Sequence, residues 1–82
     1  MPEFMDVHTG MAGVTPEQLT EAHNADLAIQ ADESVNFKHA WADPESGMVF
    51  CLSEAPSAEA VQKIHERAGH PFDQIYAVPV QA

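Results

Sequence analysis

The residues that could do chemistry in this sequence are five histidines, one cysteine and thirteen carboxylates, set in only 82 positions. Neutral imidazole suits nickel, copper and zinc, a carboxylate adds charge, and a thiolate is optional. The candidate ligands are His8, His23, Asp26, His39, His65 and His70. No spacing among them is diagnostic: there is no HExxH motif and no HxxxH pair, and His65 and His70 stand five apart across an expected helix end. The single Cys51 excludes an internal disulfide and a CxxC zinc site. A second chemistry pairs Cys51 as nucleophile with His23 or His65 as base and Asp26 as orienter. Plain structural readings stand beside both. His23 and Asp26 also suit a satisfied core hydrogen-bond pair, Cys51 an inert buried thiol, and His70 an exposed loop residue. Phe37 and Trp41 suit a core or a dimer interface, and the acidic surplus a solvated surface.

The elements that must position these residues follow from local pattern. Glu3–Thr9 alternates, with Met5 and Val7 on one face and Phe4, Asp6 and His8 on the other, which predicts a short strand with one apolar face. Gly10 and Gly13 mark a loop. Thr15, Pro16 and Gln18 fit the N-cap, first and third positions of a helix with a capping box, running to about Ala31. On that helix Leu19, Ala22, Leu27 and Ile29 define the apolar side, yet His23, Asp26 and Gln30 fall within its arc. Buried without partners, such groups would each cost a few kcal/mol, so they must bond each other, the sheet, water or a ligand.

Val35–Ala42 reads as a strand with Val35, Phe37, His39 and Trp41 on one face; residues 43–47 have turn chemistry, and Met48–Ser53 returns as the second strand of a hairpin. Ser57 fits an N-cap with Glu59 in the first turn, Gly69 fits the position after the helix, and Pro71 follows, which gives a second helix over Ala58–Ala68. Its inner side carries Val61, Ile64 and Ala68, with His65 inside that arc. Ile75–Val80 is a last short strand near a sheet edge, because Pro79 cannot donate to a ladder. The order β-α-β-β-α-β is the ferredoxin-like α+β plan, an antiparallel sheet with two helices on one face. The opposite sheet face is expected to carry Phe4 and Trp41. Pairing two such faces would bury them, which predicts a homodimer.

Length and charge bound the function. The chain predicts a single domain over residues 1–82 with a thin core, since a chain this short buries about 60–65% of its unfolded surface. Three basic residues against thirteen acidic ones give a net charge of −10. No basic stripe exists to neutralise phosphates, so nucleic acid is excluded as a partner, and an anionic membrane would repel the chain. The same field attracts cations. There is no basic start followed by an apolar segment and no long apolar run, so the expected location is the cytoplasm.

As a set, several strings resemble a family of small bacterial nickel-binding proteins. They are Phe4-Met5-Asp6-Val7-His8, Ala22-His23 with Asp26, Leu27 and Gln30, Trp41-Ala42-Asp43, Gly47 through Leu52, Glu54-Ala55-Pro56, and Ile64-His65-Glu66. The resemblance covers Glu3 to about Val80. It implies a ferredoxin-like homodimer, nickel as the metal, and sequestration or tolerance of nickel without catalysis. The chain departs from the family where Ala68-Gly69-His70 replaces Ala-His-Gly, which puts His70 beyond the expected helix cap.

Two ligand arrangements stay open. In one, His23, Asp26 and His65 converge between helices and sheet with His8 at the strand end. In the other, nickel binds at the surface through His39, His70, Glu66 or Asp73. The expected function is binding of divalent nickel for sequestration, detoxification or homeostasis, with histidine ligands and charge-balancing carboxylates, and not an enzyme. A nickel sensor on DNA would need a basic surface. The alternatives are a small dimeric α+β-barrel enzyme acting on an organic substrate near His23, Asp26 and Cys51, and a metal-free interaction module.

Overall fold

Residues 1–82 are described by a computed structural model. Its elements are β1 (Glu3–His8), α1 (Pro16–Ile29), β2 (Asn36–Asp43), β3 (Met48–Glu54), α2 (Ala58–Arg67) and β4 (Gln74–Ala77). The caps act where the residue types place them. The Thr15 hydroxyl accepts from Gln18 N–H at 3.1 Å, and the Gln18 side chain accepts from Thr15 N–H at 3.0 Å, closing a reciprocal box. The Ser57 hydroxyl accepts from Ala60 N–H at 3.2 Å and starts α2. Helix α1 stops at Ile29, two residues short of expectation, because a 3-10 turn over Gln30–Glu33 takes over and Ser34 turns left-handed at φ 57°.

The four strands form one antiparallel sheet in the order β2-β3-β1-β4, the ferredoxin-like arrangement, with the two helices against one face. An apolar cluster of Val35, Phe37, Ala55, Ala60, Val61 and Ile64 sits beneath α2, with Phe4, Ile29, Phe72 and Ile75 packed against it. Leu27, expected on the inner side of α1, is exposed. It lies at the edge of the apolar arc, whereas Asp26 at its centre is buried.

Two strand-face expectations are corrected. In β1 the more polar alternate set goes under the helices: Asp6 and His8 are buried and pair in register with Cys51 and Val49, and Phe4 joins the core. Met5 and Val7 lie on the outer face opposite Leu52 and Phe50. Phe4 is therefore not an outer-face residue. In β2 the register with β3 shifts between Phe37 and His39. This irregularity turns Val35 and Phe37 inward but His39 and Trp41 outward. The Gln30 side-chain oxygen accepts from Phe37 N–H at 2.9 Å beside the shift.

The β2–β3 turn is locked to the β1–α1 loop. Met11 N–H donates to Gly47 O and Gly13 N–H to Pro44 O, each at 2.9 Å. Gly47 has φ +77°, and a Cβ there would stand 2.8 Å from Ala12 N, so this approach requires glycine. The clasp holds Met11 at the mouth of a cavity between α1 and the sheet.

Candidate metal centre

Five of the fifteen buried residues are polar or charged, and four of those five meet in one place. Strand β1 brings Asp6 and His8 from alternate positions on its inner face, α1 lowers Asp26 from above, and α2 supplies His65. They form a continuous chain of contacts. His8 Nε2 lies 2.8 Å from Asp6 Oδ1, His65 Nε2 lies 2.9 Å from Asp6 Oδ2, and His65 Nδ1 lies 3.2 Å from Asp26 Oδ1. His70 Nε2 closes the row at 2.8 Å from the same Asp26 oxygen. The His65 to Asp26 approach is close enough for charge attraction but poorly aligned for a hydrogen bond, so Nδ1 of His65 has no such partner.

The partners define the protons of His8. Its Nδ1 lies 3.1 Å from the Pro71 carbonyl, which can only accept, and its Nε2 faces the Asp6 carboxylate. Both nitrogens therefore donate, and His8 is an imidazolium. Burial alone would push His8 down, but the Asp6 carboxylate and the neighbouring Cys51 raise it to about 9. Burial works against the charge of His65 too, and Asp26 and Asp6 on either side raise it to about 11. Burial would raise Asp6 and Asp26, but hydrogen bonds from their histidines hold both below the usual carboxylate value.

Cys51 on β3 lies beneath this row, its Sγ 4.0 Å from His8 Nε2. That histidine holds a proton on each nitrogen and has no lone pair with which to take one from the thiol, which removes it as a nucleophile's base. His8, Cys51, Asp26, His70 and His23 line the cavity of about 50 Å³ under α1, together with Gln18 and apolar side chains such as Val14, Leu19 and Val49. Nδ1 of His23 is buried without a hydrogen-bond partner. His23 and Asp26 share the cavity but are not a bonded pair.

Two groups of side chains have ligand atoms close enough for one metal ion, within 4.8 Å of one another: Asp6, His8, Cys51 and His65, and separately Asp26, His65 and His70. Of the residues marked in the sequence, His8, Asp26, His65 and His70 converge, and His23 borders their cavity. His39 lies on the other side of the sheet beside Trp41, ring centroids 5.5 Å apart. Glu66 bonds Gln62, and Asp73 accepts from Thr9. His70 reaches Asp26 because Gly69 turns the chain at φ +86° and His70 N–H bonds back to His65 O. Sequence reasoning misses Asp6 as a site residue. Its signal was its place two before His8, which puts both side chains on one strand face.

Comparison with known proteins adds to this geometry. The profile of a family described as nickel responsive protein SCO4226-like matches residues 4–78. The crystal structure of SCO4226 from Streptomyces coelicolor A3(2) is 62% identical, covers 98% of this chain and 99% of its own, and superposes with a TM-score of 0.96. A search of curated proteins returns no match.

Proposed function

Because this chain belongs to the SCO4226-like family of nickel-responsive proteins, we propose that it binds divalent nickel and sequesters it. The ion binds at the mouth of the α1 cavity to Asp26 and His70, with the free Nδ1 of His23 on the same cavity wall and water filling the remaining positions. One observation carries this reading: His70 pairs with Asp26 at the cavity edge, where its side chain keeps 25% of its surface exposed, and a neighbouring imidazole nitrogen has no partner. Nitrogen and oxygen ligands in an open, partly hydrated site suit nickel(II). The net charge of −10 draws the cation in. Sequestration needs no catalytic group, and we do not assign an enzymatic activity.

The protein acts as a homodimer in this proposal. Trp41 and Tyr76 keep 47% and 54% of their surface exposed on the outer sheet face, beside the half-buried Met5, Val7, Phe50 and Leu52. A second copy placed on that face buries a continuous apolar surface and leaves both cavities, on the far side of the sheet, open. Calorimetric titration of tag-free protein with Ni²⁺ at pH 7.5, beside His23→Ala/His70→Ala, tests the nickel reading. Saturable heat that is lost in the double variant is expected. Absence of saturable heat from the unaltered protein overturns it.

A further inference from the structure

We infer that Asp6, His8, Cys51 and His65 form a second, closed site for a thiophilic tetrahedral cation such as zinc. All four residues are buried, and their ligand atoms lie within 4.8 Å of one another. One thiolate, two imidazoles and one carboxylate are a tetrahedral zinc donor set. Bond lengths of about 2.0–2.3 Å to such an ion place neighbouring donor atoms about 3.3–3.7 Å apart. His8 Nε2 is now 2.8 Å from Asp6 Oδ1 and 4.0 Å from Cys51 Sγ, and His65 Nε2 is 2.9 Å from Asp6 Oδ2. Side-chain shifts of an ångström or less convert one spacing into the other.

The outer nitrogens of both imidazoles point at acceptors that would fix the rings of ligating histidines. A ligating histidine donates its second N–H to a carbonyl or carboxylate, which fixes the ring. His8 Nδ1 faces the Pro71 carbonyl at 3.1 Å, and His65 Nδ1, which has no hydrogen bond in the metal-free chain, lies 3.2 Å from Asp26 Oδ1, near enough to become that partner with a small turn of the ring. Each therefore aims Nε2 at the same point beside Asp6. The charge also balances. Two imidazoliums, a thiol and a carboxylate carry +1; two neutral imidazoles, a thiolate, a carboxylate and a divalent ion sum to zero, with three protons released. Cys51 and His8 line the cavity, which gives the ion a route in. Nickel(II) favours square-planar or tetragonal nitrogen and oxygen ligands, so the inner thiolate site and the outer nickel site select different metals. The inference stands whether or not nickel binds at the mouth.

Cobalt(II) reports on such a site, because a tetrahedral thiolate complex absorbs strongly where a hydrated ion does not. Tag-free full-length protein, reduced and kept from air, is titrated with Co²⁺. A thiolate charge-transfer band and intense visible bands are expected at one ion per chain. They should be bleached by Zn²⁺, absent from Cys51→Ala and retained in His23→Ala/His70→Ala. Weak bands identical in the unaltered protein and Cys51→Ala overturn the site. Zinc-edge X-ray absorption of the unaltered protein is independent of any variant's folding; a sulfur neighbour at about 2.3 Å supports the site, and only nitrogen and oxygen neighbours overturn it. Intact cobalt bands with no nickel heat would overturn the nickel reading alone.

Discussion

The carboxylate of Asp6 is held between two imidazoles from different elements, taking His8 on Oδ1 at 2.8 Å and His65 on Oδ2 at 2.9 Å. One anion thus contacts two buried cations: His8 has no other carboxylate, and His65 shares Asp26 as a second one. Removing one partner of a buried ion pair costs about 3–5 kcal/mol, because an uncompensated charge is left behind. Asp6→Asn should lose at least that much against a total of about 5–15 kcal/mol for a domain. Urea unfolding followed by circular dichroism measures the loss. A change below about 1 kcal/mol would mean that the histidines are not charged.

The metal-free protein should weaken as pH rises from neutral. His8 and His65 have folded values of about 9 and 11, above the ordinary imidazole value of 6.5. Their stabilisation is fully present below 6.5 and is lost as pH climbs through 9 and towards 11. Asp6 and Asp26 act oppositely: their folded values are depressed from 3.8, so their contribution is present above that value and is lost as pH falls through the folded ones. Urea midpoints in chelator should peak between about pH 4 and 6.5 and decline by pH 9. A flat profile from pH 6 to 10 would contradict the charged row.

Nickel binding should strengthen with pH, since imidazole binds a metal only in its neutral form. Affinity in calorimetry should fall from pH 7.5 to 5.5. At a hundredfold excess over Kd, nickel should add about 2.7 kcal/mol to the folded state and raise Tm. Equal affinity at both pH values would exclude histidine ligation.

Gln30 should matter to stability and not to metal. Its side chain accepts the Phe37 N–H where the β2 register shifts. Gln30→Leu leaves that partly buried donor unpaired and should cost about 1–3 kcal/mol. Nickel heat per folded chain should stay unchanged; a loss of nickel binding would place Gln30 in the site.

The outer sheet face gives a direct test of the dimer. Trp41→Asp puts a charge on the proposed interface without touching the α1 side of the sheet. Sedimentation should show the unaltered protein as a dimer and the variant as a monomer that binds nickel. A monomeric unaltered protein at tens of micromolar would remove the dimer from the proposal.

The sequence by itself determined the elements and their order. Caps at Thr15 and Ser57 and the left-handed glycine at 69 act within a few residues, so the chain states them locally. The burial of Asp26 and His65 was legible for the same reason: helical periodicity places a residue on a face without reference to the rest of the fold. Only the tertiary structure decided which face of β1 turns inward. Alternation separates Phe4, Asp6 and His8 from Met5 and Val7, but it does not say which set a helix will cover. The covered set is the more polar one because Asp6 there meets His65, fifty-nine positions away, and the pair satisfies what neither could bury alone. The shift in β2 that sends His39 outward and the turn that returns His70 to Asp26 depend likewise on partners distant in sequence. Histidine content could announce metal chemistry; the grouping of those histidines around two aspartates required the folded chain.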